Sequence, residues 1–277
     1  METDGIFDSH AHYFDPRFET EVPGGADAIL QNIMPHPVAN IINVGTNPQN
    51  SRAAVAQAAG YPGMFAAVGI HPEDCHTLPD CDAALAELSG ILGNTETRRR
   101  DKIVALGEIG LDYHYENYGE IPLDKRKEML FLEAQLELAE KLELPVIIHD
   151  REAHGDCFEA VLRHRNVRGV FHSYSGSAEM AHELVKRGWY LSFSGTLTFR
   201  NASRIRAVAA GIPHDRLLVE TDAPYLAPHP ERGHLNHSRL LTYTLGTLAE
   251  IWNCTPAEAA DKTSENAKKL FRISDFV

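Results

Sequence analysis

Short apolar runs rich in β-branched residues alternate, along the whole chain, with longer segments whose apolar positions recur at helical spacing. Eight of the short runs are predicted strands, at residues 5–12, 40–46, 64–72, 102–113, 144–152, 168–176, 189–196 and 216–224. The clearest helical pattern covers 123–143, and further helices are predicted near 50–59, 80–92, 152–164, 177–187, 200–210, 237–252 and 256–271.

Strands that alternate with helices in this way form parallel sheets. The predicted fold class is therefore α/β, with residues 1–277 forming a single (β/α)8 TIM barrel domain. A doubly wound open sheet is the alternative, but it usually carries a glycine-rich phosphate loop after its first strand, where this chain has "SHAHYFDP". Thr255 and Glu258 around Pro256 give a helix-start signal close to a capping box for the last helix.

Ionisable side chains lie where the predicted strands end, beginning with "GIFDSHAH" at residues 5–12. In a (β/α)8 barrel the carboxyl ends of all strands surround one pocket. The residues at these ends are His10, His12, His71, Glu108, Asp112, His149, His172 and Asp222. Each alone has an ordinary explanation as a loop residue, a core histidine or a turn former. Together they are hard to bury, because charged groups inside a protein must be paired or bind a metal.

Part of this set has the chemistry of a metal centre with more than one ion. Four histidines and two carboxylates suffice for two divalent ions with open coordination positions: His10, His12, His149, His172, Glu108 and Asp222. Asp8 shares an alternating strand face with His10 and His12, and we expect it to have a structural role.

The composition restricts the partners and the compartment. The net charge of −13, from 26 basic and 39 acidic residues, argues against a broad nucleic-acid-binding face but allows a nucleic-acid enzyme with a locally positive metal site. No apolar run approaches the ~18 residues of a membrane helix. We expect no signal peptide, because the N-terminus is acidic and has no basic region followed by an apolar core. The four cysteines form no disulfide-like framework, so we expect reduced thiols and a cytoplasmic location. We expect no obligate protein partner.

Several motifs follow one another along nearly the whole chain: "FDSHAH", "GIHP", "ALGEIGLDY", "PVIIHDRE", "FHSYSG", "LVETDAPYLAP" and "SENAKKLF". In this order they resemble the TatD family of metal-dependent deoxyribonucleases. The resemblance implies a (β/α)8 fold, two divalent ions (Mg²⁺, Mn²⁺ or Zn²⁺) and hydrolysis of DNA phosphodiester bonds. It further implies 3′ to 5′ exonuclease action on single-stranded ends and a role in DNA repair.

The resemblance also implies roles for individual residues. It assigns one ion to His10, His12 and Asp222, and the second ion to His149 and His172. Glu108 would bridge the two ions. Asp222 is the candidate to accept a proton from the attacking water, and His71 is the candidate to donate a hydrogen bond to the phosphate. Further substrate contacts are expected from Asp112, Arg232 and Asn236.

The loop after the eighth predicted strand departs from the family pattern. Many relatives have a sequence like "G-K-R-N-E-P" there, whereas this chain has "RGHLNHS" at 232–238. Arg232 and Asn236 remain, but two basic positions are His234 and Leu235. The departure affects the expectation of a DNA substrate more than the expectation of a metal site, and a small phosphodiester is the other expected substrate.

Two other functions remain open at this point. The first is a zinc-type amidohydrolase, lactonase or phosphoesterase acting on a small molecule. Such barrels often bridge their metals with a carboxylated lysine on strand four, where this chain has Glu108, and Lys102 lies at the opposite end of that strand. The second is a metal-binding barrel without catalysis, against which the full set of ligands argues.

Two segments outside these motifs have simpler interpretations. "HPEDCHTLPDC" at 71–81 contains two histidines and two cysteines, but their spacing matches no common zinc pattern, so we predict a plain loop. The basic run "RRRDK" at 98–102 precedes the fourth strand and is predicted to be a solvated turn at the opposite end of the barrel.

Overall fold

The computed structural model of the protein describes residues 3–276. In chain order its strands are β1 (Ile6–Ala11), β2 (Val38–Val44), β3 (Met64–Val68), β4 (Ile103–Asp112), β5 (Asn117–Tyr118), β6 (Ile121–Pro122), β7 (Val146–Arg151), β8 (Gly169–Phe171), β9 (Tyr190–Phe193) and β10 (Leu217–Val219). Eight of them form one parallel sheet in the order β1-β2-β3-β4-β7-β8-β9-β10, while β5 and β6 form an antiparallel hairpin in the loop after β4.

The first and last strands of the sheet meet and close the ring. A parallel bridge joins Ala11 to Ala223. Beside it, the Asp222 N–H donates to the His10 carbonyl at 2.9 Å, and the His12 N–H donates to the Ala223 carbonyl at 2.7 Å. The predicted (β/α)8 barrel is thereby confirmed.

The helices surround the barrel. They are α1 (Pro16–Glu21), α2 (Gly25–Ile33), α3 (Pro48–Ala59), α4 (Pro72–Cys75), α5 (Cys81–Leu92), α6 (Thr95–Arg100), α7 (Lys125–Leu142), α8 (His154–Arg163), α9 (Ala178–Lys186), α10 (Ser203–Gly211), α11 (Leu241–Trp252) and α12 (Pro256–Leu270). Short 3₁₀ helices cover Gly195–Thr198, His214–Arg216, Ser238–Leu240 and Ile273–Asp275. Within residues 3–276, none of the helices combines the length and apolar character needed to cross a membrane.

Most predicted helices are confirmed, and the capping box is complete. The Glu258 N–H donates to Thr255 Oγ1 at 3.2 Å, and the Thr255 N–H donates to the Glu258 carboxylate at 2.8 Å. The turn predicted at 98–102 is confirmed only at residues 101 and 102, because the three arginines before them form the last turn of α6. Arg98 is buried there and its guanidinium donates to the carbonyl of Gly93, which anchors the turn.

An apolar layer fills the barrel beneath the carboxyl ends of the strands. Ile147, Val170 and Leu218 belong to this layer, which also includes Phe271 from the end of the chain. Side chains two positions apart on a strand point to the same face. His149 and His172 therefore follow Ile147 and Val170 on the inner face, directly above the apolar floor.

Candidate metal centre

Glu108 is the central side chain at the carboxyl end of the barrel. It is buried in the middle of β4, and both of its carboxylate oxygens face histidine nitrogens. Its Oε1 lies 2.8 Å from His149 Nδ1 and 2.8 Å from His172 Nε2. These two histidines come from the end of β7 and from the residue after β8, as the alternation of the strands predicted.

The second oxygen of Glu108 faces the residues of the first strand. Its Oε2 lies 3.2 Å from His10 Nε2 and 3.6 Å from His12 Nε2. Asp222 Oδ1 lies 3.4 Å from His12 Nε2 and 3.7 Å from His10 Nε2. The six residues predicted as ligands therefore converge, and the two oxygens of Glu108 divide them into two groups.

Two of the histidines contact a second carboxylate on the side of the ring away from Glu108. This contact determines which ring nitrogen carries the proton and which has the free lone pair. Asp112 Oδ2 lies 3.2 Å from His149 Nε2, and Glu220 Oε1 lies 3.2 Å from His172 Nδ1. An ionised carboxylate only accepts hydrogen bonds, so these nitrogens are the protonated ones. In the neutral rings the lone pairs of His149 Nδ1 and His172 Nε2 then point at Glu108, which is the arrangement of metal-bound histidines.

His12 and His71 are fixed in opposite ways. His12 Nδ1 lies 2.6 Å from the Val44 carbonyl, which can only accept, so the lone pair of neutral His12 is on Nε2 and faces the site. His71 Nδ1 instead accepts the N–H of Glu73 at 3.1 Å, so the proton of the neutral ring is on Nε2. His71 Nε2 lies 3.6 Å from Glu108 Oε1 and therefore presents an N–H to the site.

His71 is neutral in this environment. Burial lowers the pKa of its imidazole to about 3, although the Glu108 carboxylate opposes that shift. His71, Glu108 and His149 lie close enough together to form a third possible ligand group. The hydrogen bond from Glu73 opposes metal binding by His71, because a neutral imidazole has only one nitrogen lone pair.

Charge at the centre is balanced between the carboxylates and the imidazoles. Burial alone would raise the pKa of the Glu108 carboxyl, but the neighbouring imidazoles, above all His172, hold it well below its ordinary value. Burial also opposes the charged form of His149, yet hydrogen bonds to Asp112 and Glu108 raise the pKa of its imidazole to about 9. The lone pairs that converge on Glu108 therefore need positive charge between them, as protons or as metal ions.

The backbone around Asp222 is held in an uncommon conformation. Asp222 has a φ of +59°, in the left-handed region that residues other than glycine rarely adopt. The hydroxyl of Thr221 accepts the Ala223 N–H at 3.1 Å and donates to Asp8 at 2.6 Å. Asp8 also accepts the hydroxyl of Ser238 at 2.6 Å, so its predicted structural role is confirmed. Its carboxylate ties β1 to the loop that carries Asp222.

Gly110 of "GEIGLDY" allows β4 and β7 to approach closely beside the site. A Cβ atom added to Gly110 would lie 1.9 Å from the His149 carbonyl oxygen. Any side chain at this position would push the two strands apart. The distance between Glu108 and His149 therefore depends on this glycine.

Of the four predicted substrate contacts, two lie elsewhere than expected. Asp112 is buried and its carboxylate is engaged by His149 and by the N–H of His114, so it orients a histidine and is not available to substrate. Asn236 is fully buried, and its side-chain amide donates to the carbonyls of Thr221 and Tyr225. The structure therefore fits neither the prediction that Asp112 contacts substrate nor the same prediction for Asn236.

The other two predicted contacts remain accessible. His71 presents its Nε2 to the site. Arg232 is exposed, and its guanidinium carbon lies 4.2 Å from the centre of the Phe199 ring. Glu220, which contacts His172, is a site residue that the sequence pattern did not indicate. Its only signal is its place in "VETDAP", two positions before Asp222 on an alternating strand.

The segment "HPEDCHTLPDC" forms no zinc knot. It contains α4, and His76 Nε2 lies 2.9 Å from Glu128 Oε1 in α7. Cys75 is buried and unpaired, and all four cysteines are free. Among the described residues, the groups that could hold a metal ion all lie around Glu108, His10 and His12.

Comparison with known proteins identifies the family of the chain. The family model described as TatD related DNase matches residues 7–272. The uncharacterized metal-dependent hydrolase YabD of Bacillus subtilis is 37% identical over 273 residues, which cover 97% of this chain and 100% of YabD. The uncharacterized metal-dependent hydrolase YjjV of Escherichia coli is 34% identical over 271 residues, which cover 97% of this chain and 98% of YjjV.

Solved structures show the same architecture. The crystal structure of YjjV from Escherichia coli matches with a TM-score of 0.85 and 31% identity, over 97% of this chain and 98% of that chain. A hydrolase of the TatD family from Entamoeba histolytica matches with a TM-score of 0.81 at 19% identity, over 98% and 99% of the two chains, which shows the shared fold. The protein is thus a metal-dependent hydrolase acting on ester bonds, built on a (β/α)8 barrel. It belongs to the family of TatD related DNases.

Proposed function

We propose that the centre holds two divalent ions with Glu108 between them. The supporting observation is that the two oxygens of this one carboxylate face separate groups of histidine nitrogens. His10, His12 and Asp222 would hold one ion, and His149 and His172 would hold the other. The donor set fits this role, because imidazole and carboxylate ligands suit Mn²⁺ or Zn²⁺, and carboxylates suit Mg²⁺.

The chemistry proposed for the centre is hydrolysis of a phosphodiester. When bound, a pair of divalent ions lowers the pKa of a water molecule and stabilises the charge on phosphate oxygens. Asp222 would accept the proton that this water releases. Burial alone would raise the pKa of the Asp222 carboxyl, but the hydrogen bond with His12 and the charges of the neighbouring imidazoles together lower it, so the carboxylate is ionised and can accept. His71 donates its Nε2–H to a phosphoryl oxygen.

The proposed substrate is DNA, cleaved from the 3′ end of a single strand. Membership of the TatD related DNase family supports a nucleic acid as the substrate. The net charge of −13 opposes a polyanion everywhere except at the ions, so a large part of the affinity comes from the centre. Arg232 is an exposed cation in the loop after β10 and is proposed to contact a phosphate. A role in DNA repair and a cytoplasmic location stay predictions from the sequence.

The test is hydrolysis by protein reloaded with Mn²⁺, Zn²⁺ or Mg²⁺. The substrates are end-labelled single-stranded and double-stranded DNA, RNA of the same sequence, and bis-p-nitrophenyl phosphate. We expect stepwise shortening of single-stranded DNA from its 3′ end. Turnover of the small ester with a far greater kcat/KM, together with no shortening of DNA, would replace the nuclease function by a small-molecule esterase function.

A further inference from the structure

Two exposed tyrosines flank the metal centre. Tyr115 lies in the loop after β4 and is 45% exposed, and Tyr225 lies in the loop after β10 and is 46% exposed. Tyrosine is enriched at binding interfaces, because it combines a large apolar ring with a polar hydroxyl. In the closed sheet, β4 and β10 are the fourth and eighth strands, so the two loops lie half a ring apart. The centre around Glu108 lies between them.

Each tyrosine is connected to the centre by a short series of contacts. The guanidinium carbon of Arg151 lies 5.0 Å from the centre of the Tyr115 ring, and Arg151 Nη1 lies 3.8 Å from Asp112 Oδ2. Asp112 in turn contacts His149. On the other side, the Tyr225 N–H donates to the Asp222 carbonyl at 2.8 Å.

Both rings are held in place before any ligand binds. The Tyr225 hydroxyl donates to Asp15 at 2.7 Å, and the guanidinium carbon of Arg17 lies 5.7 Å from its ring centre. The ring of Tyr115 lies 6.0 Å from that of Tyr118, edge to face. Pre-organised aromatic rings bind flat ligands at a small cost in conformational entropy.

The charges beside the rings are already engaged. Arg17 pairs with Glu21 at 2.7 Å, and Arg151 lies beside Asp112. In a chain of net charge −13, these arginines therefore add little attraction for a polyanion. On these two sides of the centre, the groups left free to contact a ligand are the two aromatic rings. Aromatic rings stack on nucleobases without regard to sequence, because every base has a π-face.

We propose that Tyr115 and Tyr225 stack on two nucleobases of a single-stranded nucleic acid, one on either side of the phosphodiester at the metal centre. This inference rests on the proposed nuclease function and specifies how the substrate is bound. Bases in a duplex are already stacked and paired, so the two tyrosines favour single strands. A small phosphodiester without bases gains nothing from them.

The test compares two substrates in the metal-loaded enzyme. For Tyr115→Ala and for Tyr225→Ala we expect kcat/KM on a single-stranded oligonucleotide to fall roughly five-fold to one-hundred-fold, mainly through KM. The loss on bis-p-nitrophenyl phosphate should be far smaller. Tyr115→Phe and Tyr225→Phe keep the ring and should retain most of the oligonucleotide activity.

A matched control lies at the other end of the barrel. Tyr61 precedes β3, and its hydroxyl donates to Asp27 at 2.7 Å, as that of Tyr225 does to Asp15. Tyr61→Ala should leave the ratio of the two activities unchanged. Circular dichroism shows whether each alanine variant is folded. If an alanine variant does not fold, the phenylalanine variant still tests whether the ring without its hydroxyl supports oligonucleotide cleavage.

Oligonucleotides that lack the bases next to the scissile bond provide a second readout. The wild-type enzyme should lose activity on such abasic substrates, and the tyrosine-to-alanine variants should lose little more, because the stacking partner is already absent. Two results overturn the stacking proposal alone. In the first, the alanine variants cleave the normal oligonucleotide as well as wild type does. In the second, their activity falls by the same factor on the normal and the abasic oligonucleotides. A wild-type enzyme that cleaves no nucleic acid overturns the proposed function, and the stacking proposal with it.

Discussion

His149 Nε2 lies 3.2 Å from Asp112 Oδ2, on the opposite edge of the ring from the nitrogen that faces Glu108. Asp112 therefore determines which nitrogen of His149 is free to bind a metal ion. Hydrogen bonds of this kind orient the ring and increase its basicity. The contact connects the conformation of the strand end at β4 with the chemistry of the centre.

Replacement of Asp112 by alanine is expected to weaken metal binding roughly 10-fold to 100-fold at the position that His149 occupies. The ring would lose the partner that fixes its protonated nitrogen. Competition with a fluorescent zinc chelator measures the affinity. Asp156→Ala is the matched control, because Asp156 is an exposed aspartate that accepts the Tyr113 hydroxyl at 2.8 Å. Equal zinc affinity for the Asp112 variant and the control would show that Asp112 does not support the site.

The residues that converge on Glu108 could be predicted because two simple rules place them. Alternation along a strand brings His149 above Ile147, and the barrel brings all carboxyl strand ends to one pocket. Neither rule depends on loop structure. Residues as distant in sequence as His10 and Asp222 could therefore be assigned to one centre.

The partners behind the histidines could not be predicted. Glu220 contacts His172, which lies 48 positions earlier, and this pairing depends on the relative heights of β8 and β10 in the barrel. The prediction that Asp112 contacts substrate is wrong for the same reason: the sequence gives no sign that its carboxylate lies beside His149. Asn236 was given the same role, although it is fully buried in the structure.

Among the helices and strands, too, some features could be predicted from the sequence and others could not. Helices α1 and α2, between the first two strands, could not be predicted, because Pro23, Gly24 and Gly25 interrupt the helical pattern there. Several predicted strands extend past the residue at which the strand ends in the structure. β10, predicted over 216–224, ends at Val219, because the following residues leave the sheet and carry Glu220 and Asp222 into the centre.

Glu128 is a buried carboxylate behind the centre, and its loss is expected to destabilise the fold. It lies 2.9 Å from His76 Nε2 and accepts the Asp112 N–H at 2.9 Å. Glu128→Ala should lower the free energy of unfolding by about 2–4 kcal/mol, because it leaves both partners buried without a hydrogen bond. Urea denaturation measures the change.

The control for Glu128 is a pair on the surface. Glu87 lies 2.6 Å from Arg52, and both side chains are about half exposed. Glu87→Ala should cost at most about 1 kcal/mol, because water screens exposed ion pairs. Similar losses for the two variants would contradict the structural role of Glu128.

Arg232 is expected to affect substrate binding more than turnover. Its exposed guanidinium is placed over the Phe199 ring and is proposed to contact a phosphate. Arg232→Ala should raise KM for single-stranded DNA more than it lowers kcat, and should flatten the log–log salt dependence of binding by about one unit. Arg187→Ala is the control, because Arg187 is at the end of α9 and pairs with Glu183 within the same helix. An unchanged salt slope for Arg232→Ala would remove Arg232 from the substrate-binding residues.

Glu108 is the residue on which a centre of two ions depends most. Its two oxygens face separate groups of histidines, so Glu108→Ala removes one ligand from each proposed ion. We expect this variant to lose hydrolysis of bis-p-nitrophenyl phosphate and most of its metal, while circular dichroism shows an intact fold. Near-wild-type turnover would mean that Glu108 does not bridge the ions.

The metal content of the wild-type protein tests the central proposal most directly. Protein purified without chelator, reloaded with Mn²⁺ or Zn²⁺ and passed over a desalting column, is analysed by inductively coupled plasma mass spectrometry. A centre divided by the two oxygens of Glu108 predicts close to two equivalents of metal per chain. One equivalent at saturation, or none with either metal, would contradict it.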